Sequence, residues 1–355
     1  MISSLATANT TPIKMITNDN PSQVAAYWTP ERMRDATPME LPKADKNRTV
    51  KMQITDMMQK FSDQEPKHID GAPPRVTMQP NNQPLFQPRL QKRYAALLDA
   101  GTLKEPFSSS QLTPLNADQA YPYSTVGKLF FTTPTGNKTC TAAVIGNRLV
   151  LTAGHCLHNG NGSSSGYYGN WMFIPAYHSG TAPFATWHFS NAVLTNAWYT
   201  SGGVVPNAGD YAIIAFADQP INGTTVSLGH VVGKLGFQTL STIPNHAHLF
   251  GYPGNLDNGQ IIHQVTAQSA QAVAPSNAEY GSDMNLGSGG GPWIQNFGIA
   301  SQGQTGGTNT GRNLVIGLSS YGYNDSTTLA EGSPILDATF ANVYNYMCTL
   351  ATGNC

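Results

Sequence analysis

Short apolar runs, rich in β-branched and aromatic residues, follow one another from Tyr121 onward and are separated by Gly, Asn and Pro. Runs of this kind predict β-strands, because branched and aromatic side chains pack well on a pleated sheet. A Gly- and Gln-rich stretch at 297–313 predicts a long hairpin loop, and 336–347 has a helical pattern. The sequence therefore predicts an all-β body that ends in a C-terminal helix. The clearest strands are predicted at 126–132, 139–144, 148–151, 211–216, 248–252 and 314–318.

The first 120 residues differ from this body. They are rich in Pro, Lys, Gln and Asp, and residues 1–105 hold fourteen of the nineteen Lys and Arg residues. Thr29 followed by Pro30 predicts the start of a helix, because Thr is a favourable cap and Pro suits the first helical position. A second helix is predicted at 91–98. We interpret residues 1–120 as a propeptide or an inhibitory arm, and the alternative is a disordered leader without a role.

Charge and cysteine content narrow the possible functions. A formal net charge of −1 gives no electrostatic reason to expect a nucleic acid or an anionic membrane as partner. No apolar run is long enough to predict a transmembrane helix. The four cysteines, an even number, indicate an oxidising compartment. Because residues 1–7 lack the regions of a signal peptide, we expect that a secretory signal was removed ahead of Met1 and that the protein is extracellular.

Three segments carry candidate chemistry. Leu149–Cys156 ends in a His-Cys pair, and imidazole suits proton transfer because its ordinary pKa lies near neutrality. Asn207–Phe216 contains Asp210 ahead of an apolar run, and Asp283–Trp293 contains Gly-Ser-Gly-Gly-Gly-Pro. Each segment alone also fits core packing, a strand-end turn or a flexible loop. Together and in this order they resemble the histidine, aspartate and nucleophile segments of the trypsin-like serine protease family.

The resemblance covers about residues 121–347 and implies a fold and two catalytic roles. The family has Thr-Ala-Ala-His-Cys where this chain has Thr-Ala-Gly-His-Cys, with Gly154 in place of the second alanine. It implies two antiparallel six-stranded β-barrels of the chymotrypsin-like fold, at 121–222 and 223–355, with the catalytic cleft between them. It also makes His155 the general base and Asp210 the carboxylate that orients it.

The same resemblance implies a disulfide and a maturation step. Cys140 and Cys156 match the disulfide that the family places beside the histidine, and Cys348 and Cys355 would then close a short C-terminal loop. The stretch at 27–33 resembles part of the pro-regions of secreted microbial precursors related to glutamyl endopeptidases. A zymogen of this kind would mature by losing a segment that ends between residues 103 and 121.

Gly289 stands at the nucleophile position, where the family has serine. By the same resemblance, the backbone N–H groups of Gly287 and Gly289 form the oxyanion hole. Without a nucleophile we expect residual catalysis of about 10³–10⁴ over water, which a cleavage assay reads as inactive. The chain is an engineered inactive protease, a natural pseudoprotease that binds peptides or proteins, or an enzyme that uses Ser288. A one-residue shift in a tight turn disfavours Ser288, because it misaligns the hydroxyl with the oxyanion donors.

Two residues are candidates for substrate binding. Asp283, six residues before Gly289, matches the aspartate with which trypsin binds Lys or Arg, and its alternative role is that of a turn carboxylate. Ser319, in the segment Leu318–Gly322, is the second candidate. That segment lacks the pocket histidine of the glutamyl endopeptidases, so glutamate specificity is unsupported.

Metal binding by pairs of histidines with metal-ligand spacing is the main alternative to proteolysis. His246 with His248, and His155 with His158, each lack a clear third ligand, so we expect no metal, and no sequence motif predicts a cofactor. The function that we expect is that of a secreted serine endopeptidase precursor, inactive or nearly so through Gly289. We expect a monomer that acts on a peptide or protein substrate, and a secreted binding or regulatory protein is the alternative.

Overall fold

The computed structural model describes residues 12–15, 19–88, 105–304, 307, 309–325 and 327–355. The helix predicted at 91–98 lies outside these residues.

The N-terminal region lies on the body of the protein, and its short strands pair with strands of that body. Thr29 caps a helix that begins at Pro30, as predicted, because its Oγ1 accepts a hydrogen bond from the Arg32 N–H at 3.2 Å. Trp28 is buried, and its ring packs edge-on against Phe130, with 5.5 Å between ring centroids. The elements are β1 (Pro12–Lys14), α1 (Pro21–Tyr27), α2 (Pro30–Asp35), β2 (Thr37–Pro38), β3 (Lys43–Ala44), β4 (Lys51–Met52), α3 (Ile54–Lys60), β5 (His68–Ile69) and β6 (Phe107–Gln111).

The first barrel is a closed ring of six antiparallel strands in the order β7-β8-β9-β12-β11-β10, with β10 returning to β7. Large side chains, among them Trp171, Phe173 and Ile213, are fully buried in its core. The closed ring fixes the ends of β9 and β12, where the candidate site is built. Its elements are β7 (Val126–Thr133), β8 (Gly136–Val144), β9 (Leu149–Thr152), β10 (Gly169–Pro175), β11 (Trp187–Thr195), α4 (Asn196–Tyr199) and β12 (Ala212–Phe216).

A hairpin and a short helix join the barrels, and the hairpin contains residues 222 and 223, between which the sequence analysis put the domain boundary. The second barrel has the strand order β22-β18-β17-β16-β19-β20-β15, which in the described part of the chain is seven strands and not the predicted six. Three strands of the N-terminal region add to it, because β5 pairs with β15 and both β4 and β6 pair with β17. β15 runs parallel to β20, unlike the antiparallel expectation, and the long stretch of chain between these two neighbours is what makes a parallel pairing possible. The elements are β13 (Gln219–Ile221), β14 (Thr224–Val226), α5 (Leu228–Val232), β15 (Gly236–Gln238), β16 (His246–Gly251), β17 (His263–Val273), β18 (Asn277–Gly281), β19 (Pro292–Gln295), β20 (Leu314–Leu318), β21 (Gly322–Tyr323) and β22 (Ala330–Pro334).

The C-terminal helix, α6 (Ala338–Leu350), follows the second barrel. It begins two residues later than the sequence pattern suggested, because Asp337 is its cap and accepts a hydrogen bond from the Thr339 N–H at 2.8 Å. Phe340 packs edge-on against Phe237 at 5.0 Å between ring centroids. This mostly β architecture, with a closed barrel and a terminal helix, is the predicted chymotrypsin-like fold.

Both expected disulfides are present. One joins Cys140 in β8 to Cys156, and the other joins Cys348 in α6 to Cys355. The stretch between β19 and β20, which are antiparallel partners, is the predicted long hairpin connection. No helix among the described residues is both long and apolar enough to cross a membrane.

Candidate active site

Strand pairing brings the predicted histidine and aspartate together. β9 ends at Thr152, and a turn of 3-10 helix that carries His155 follows at once. β12 begins at Ala212, two residues after Asp210. Because β9 and β12 are antiparallel neighbours with Ala212 opposite Thr152, the end of one strand lies beside the start of the other.

Asp210 holds His155 through two contacts. One carboxylate oxygen, Oδ2, lies 2.8 Å from the imidazole Nδ1, and the other accepts a hydrogen bond from the His155 backbone N–H at 2.8 Å. The Ser320 hydroxyl donates to Oδ2 at 2.6 Å. His155 is 3% exposed and Asp210 is fully buried. A carboxylate opposite Nδ1 keeps the proton on that nitrogen, which leaves Nε2 free to accept one.

The glycine that replaces the family's second alanine has a steric reason. A β-carbon on Gly154 would lie 2.7 Å from Cγ of Trp198, well inside van der Waals contact. The Trp198 ring is buried and lies edge-on to the His155 imidazole, with 6.1 Å between ring centroids. The larger indole therefore takes the space that an alanine methyl group would need.

The glycine loop presents Gly289 to the imidazole. Gly287 and Gly290 have φ angles of +83° and +81°, which favour glycine, whereas Gly289 does not lie in the left-handed region. The Gly289 carbonyl accepts a hydrogen bond from the Thr141 N–H at 2.9 Å, which anchors the loop on β8 of the first barrel. A β-carbon on Gly289 would overlap with His155 Nε2. The loop backbone therefore admits a side chain at 289, provided that the imidazole withdraws.

Ser288 faces away from this histidine. It is fully buried, and its hydroxyl donates to Glu331 Oε1 at 2.7 Å. Ser319, predicted to bind substrate, donates to the other oxygen of Glu331 at 2.9 Å and accepts from the Trp293 indole at 3.2 Å. Both serines thus hold a buried carboxylate beneath the loop, and neither hydroxyl contacts the imidazole.

Glu331 is a site residue that the sequence analysis missed. Burial raises its pKa to about 7, an effect that the bonds from Ser288, Ser319 and Ser282 oppose and that the nearby Asp283 carboxylate reinforces. A glutamate in a body with few charged residues was the signal that could have pointed to it. Ser320, also missed, adjoins the predicted Ser319.

Asp283 lies close to this buried carboxylate. Its Oδ1 is buried and has no hydrogen-bond partner among the described residues. Its backbone carbonyl accepts from the Asn255 amide at 2.8 Å. An unpartnered buried carboxylate oxygen is costly unless a ligand reaches it, so Asp283 keeps its place as a substrate-binding candidate.

The predicted oxyanion donor at Gly287 is already occupied. Its N–H donates to the carbonyl oxygen of Met39, in the N-terminal region, at 2.7 Å. No sequence motif indicated this contact between segments that lie far apart in the chain.

The histidine pairs form no evident metal site. The rings of His246 and His248 lie edge-on to each other, with 5.9 Å between ring centroids. His158 accepts a hydrogen bond from the Gly160 N–H at 2.9 Å. In the part of the chain that the structure describes, the group of ligating side chains close enough to share an ion is Cys140, His155 and Cys156. Its two sulfurs are bonded to each other, which leaves a single ligand.

Known proteins resemble the chain over this region. The family model described as Trypsin matches residues 115–343. The solved structure of the protease Anisep from Arthrobacter nicotinovorans is 26% identical, with a TM-score of 0.53, over 67% of this chain and 98% of that chain. A solved Glu endopeptidase is 18% identical, with a TM-score of 0.51, over 67% and 95%, and at that identity it supports the fold alone. No curated protein sequence is significantly similar.

The family match spans more than half of the chain, and the barrels and helix described above are the architecture that it requires. Proteases of this family act on peptides or proteins. The chain therefore belongs to the trypsin family of chymotrypsin-fold serine proteases.

Proposed function

We propose that the chain is a secreted serine endopeptidase precursor whose catalytic residues are His155, Asp210 and the residue at 289. Gly289 leaves this form inactive or nearly so. The observation that carries the proposal is the fixed imidazole, which is bonded to Asp210 through Nδ1 and directs Nε2 at position 289. That arrangement has the parts of a general base beside a nucleophile, with the hydroxyl missing.

A serine at 289 would complete the reaction. Its hydroxyl would lose the proton to Nε2 of His155 while Oγ bonds to the substrate carbonyl carbon, and Asp210 would stabilise the imidazolium. The oxyanion would accept hydrogen bonds from the N–H groups of Gly287 and Gly289. The imidazolium would then protonate the leaving amine, and water would hydrolyse the acyl-enzyme by the same proton route. Ser320 acts as a positioning residue, because its hydroxyl donates to the Asp210 carboxylate.

The carboxylates near the loop support a basic side chain in the substrate pocket. Asp283 has a buried oxygen with no hydrogen-bond partner among the described residues, and its charge helps to raise the pKa of the nearby Glu331. A negative pocket of this kind would select Lys or Arg over Glu.

The disulfides support secretion. Cys140–Cys156 and Cys348–Cys355 persist in an oxidising compartment and would be reduced in most cytosols. We propose that the N-terminal region is a propeptide, removed by a cut that ends between residues 103 and 121.

Labelling with a fluorophosphonate probe tests the proposal. The parent chain should remain unlabelled, because it has no hydroxyl beside Nε2. Gly289→Ser, incubated until processing is complete, should be labelled at residue 289, and Gly289→Ala serves as the control for filling the space without a hydroxyl. Labelling of the parent at Ser288 would contradict the assignment. An unlabelled Gly289→Ser chain that folds and has lost its N-terminal region would favour a binding protein on a protease scaffold.

A further inference from the structure

Residues 37–44, which we call the strap, cross the candidate active site from one barrel to the other. At one end, β2 pairs with β8 of the first barrel, with Pro38 opposite Thr139. At the other end, β3 pairs with β21, with Lys43 opposite Gly322. Both pairings are parallel. The strap therefore spans the cleft as an added strand on each wall, a common way for a protein to bind a peptide.

The centre of the strap covers the candidate catalytic groups. The Met39 carbonyl accepts the Gly287 N–H at 2.7 Å, and the Met39 N–H donates to the Thr139 carbonyl at 2.9 Å. Leu41 is 1% exposed, and its Cδ1 lies 3.4 Å from the point that a β-carbon on Gly289 would occupy. That distance is an ordinary van der Waals contact, so Leu41 leaves room for a β-carbon at 289.

Lys43 anchors the second end of the strap at the rim of the candidate substrate pocket, where its side chain is exposed. Its ammonium donates to Asn285 Oδ1 at 2.7 Å and lies 3.4 Å from the β-carbon position of Gly322. Burial lowers the pKa of Lys43, and the Glu331 carboxylate opposes that shift. Asp283 Oδ1 has no hydrogen-bond partner among the described residues, so Lys43 does not satisfy the proposed preference for a basic group.

The register of the strap differs from that of a substrate. In a bound substrate, one residue supplies both the carbonyl in the oxyanion hole and the side chain in the pocket beside it. In the strap, Met39 supplies the carbonyl, whereas Lys43, the basic residue nearest to it in sequence, is four positions away and exposed, with its ammonium bonded to Asn285. The strap thus occupies the Gly287 N–H while its basic side chain lies outside the pocket, which is not the alignment of a substrate.

We infer that the strap is a built-in competitive inhibitor, a segment that occupies the Gly287 N–H of the oxyanion hole and covers position 289 in a register that differs from that of a substrate. This inference rests on the proposed function of the cleft. Pro38 and Pro42 support it, because they limit the conformations of the free segment and lower the entropy lost when it binds. The released N-terminal region would bind the same cleft until it is degraded.

Hydrogen exchange in the parent chain tests the inference without any catalysis. Gly287 and Gly322 donate their N–H groups to the Met39 and Pro42 carbonyls, at 2.7 Å and 3.0 Å. Both amides should be protected. A Leu41→Ala/Lys43→Ala chain should exchange them at least tenfold faster, because it loses the buried leucine and the bond to Asn285.

The matched control is Val50→Ala/Lys51→Ala. It also removes one apolar and one basic side chain from the N-terminal region, but both residues are exposed and lie outside the strap. Its exchange rates at Gly287 and Gly322 should equal those of the parent. Unprotected amides in the parent, or equal rates in the strap variant, would overturn the inference.

A second measurement uses a fluorescent synthetic peptide with the sequence of residues 37–44. It should bind the Leu41→Ala/Lys43→Ala chain at least tenfold more tightly than the parent, whose own strap competes, and a scrambled peptide should not distinguish them. Equal binding of the two peptides would also overturn the inference. Hydrogen exchange and peptide binding test the strap, whereas cleavage by processed Gly289→Ser tests the protease activity. If the first two results are as expected and processed Gly289→Ser is inactive, the inference about the strap holds and the proposed protease activity is wrong.

Discussion

Nε2 of the His155 imidazole occupies the space into which a β-carbon on Gly289 would extend. A residue of the first barrel and a loop of the second barrel thus meet at a single point in the proposed chemistry. Because Asp210 fixes the imidazole from the opposite side, a side chain at 289 has to displace the ring slightly while the Nδ1 contact is kept. The imidazole base is therefore held at the position where it would meet a serine side chain at 289.

The buried carboxyl group of Glu331 should make stability depend on pH. Its pKa is raised from 4.5 to about 7, so the folded state favours the protonated form. Its contribution is fully present below about pH 4.5 and is lost as the pH rises towards 7, on the order of 3 kcal/mol in total. Glu331→Gln should remove this loss. Free energies of unfolding in urea at pH 5 and pH 8 measure the difference.

Glu65→Gln is the control for that experiment, because Glu65 is exposed. It should keep the pH dependence of the parent. If the free energies of unfolding of Glu331→Gln and the parent change in parallel between pH 5 and 8, the pKa of Glu331 is not raised.

Gly154→Ala should destabilise the protein, because the added methyl group would meet the Trp198 ring at 2.7 Å. Overpacking of this kind costs about 1–3 kcal/mol. Gly307→Ala is a suitable comparison, because a β-carbon there would contact nothing within 4 Å. Thermal unfolding should give a lower Tm for Gly154→Ala and an unchanged Tm for Gly307→Ala. Equal Tm values for the two variants would contradict the steric explanation for Gly154.

Strands with strong local patterns were predictable from sequence. The runs at 126–132 and 314–318 lie in β7 and β20 because branched and aromatic residues fill them. β17 was missed, since its outward positions carry Gln and its inward positions include small residues such as Ala267 and Ala272. Small side chains give little hydrophobic contrast, so the alternation of the strand was weak.

Local sequence likewise predicted only some residues of the candidate site. His155 and Asp210 stand in short motifs, and local sequence was enough to propose them. Glu331 and the strap were missed because their positions depend on the packing of segments that are distant in sequence. Nothing within residues 37–44 indicates that Met39 reaches the Gly287 N–H, and only the paired walls of the cleft define that contact.

The central claim is that His155 and Asp210 form a working base for a nucleophile at 289. The most direct test is turnover of a Lys-containing peptide substrate by Gly289→Ser after its N-terminal region is removed, compared with the same chain carrying His155→Ala or Asp210→Asn. Gly289→Ser should cleave the peptide, and each further change should lower kcat by about 10³-fold or more. A folded, processed Gly289→Ser that leaves the peptide intact, or one whose activity survives the loss of His155, would contradict the claim.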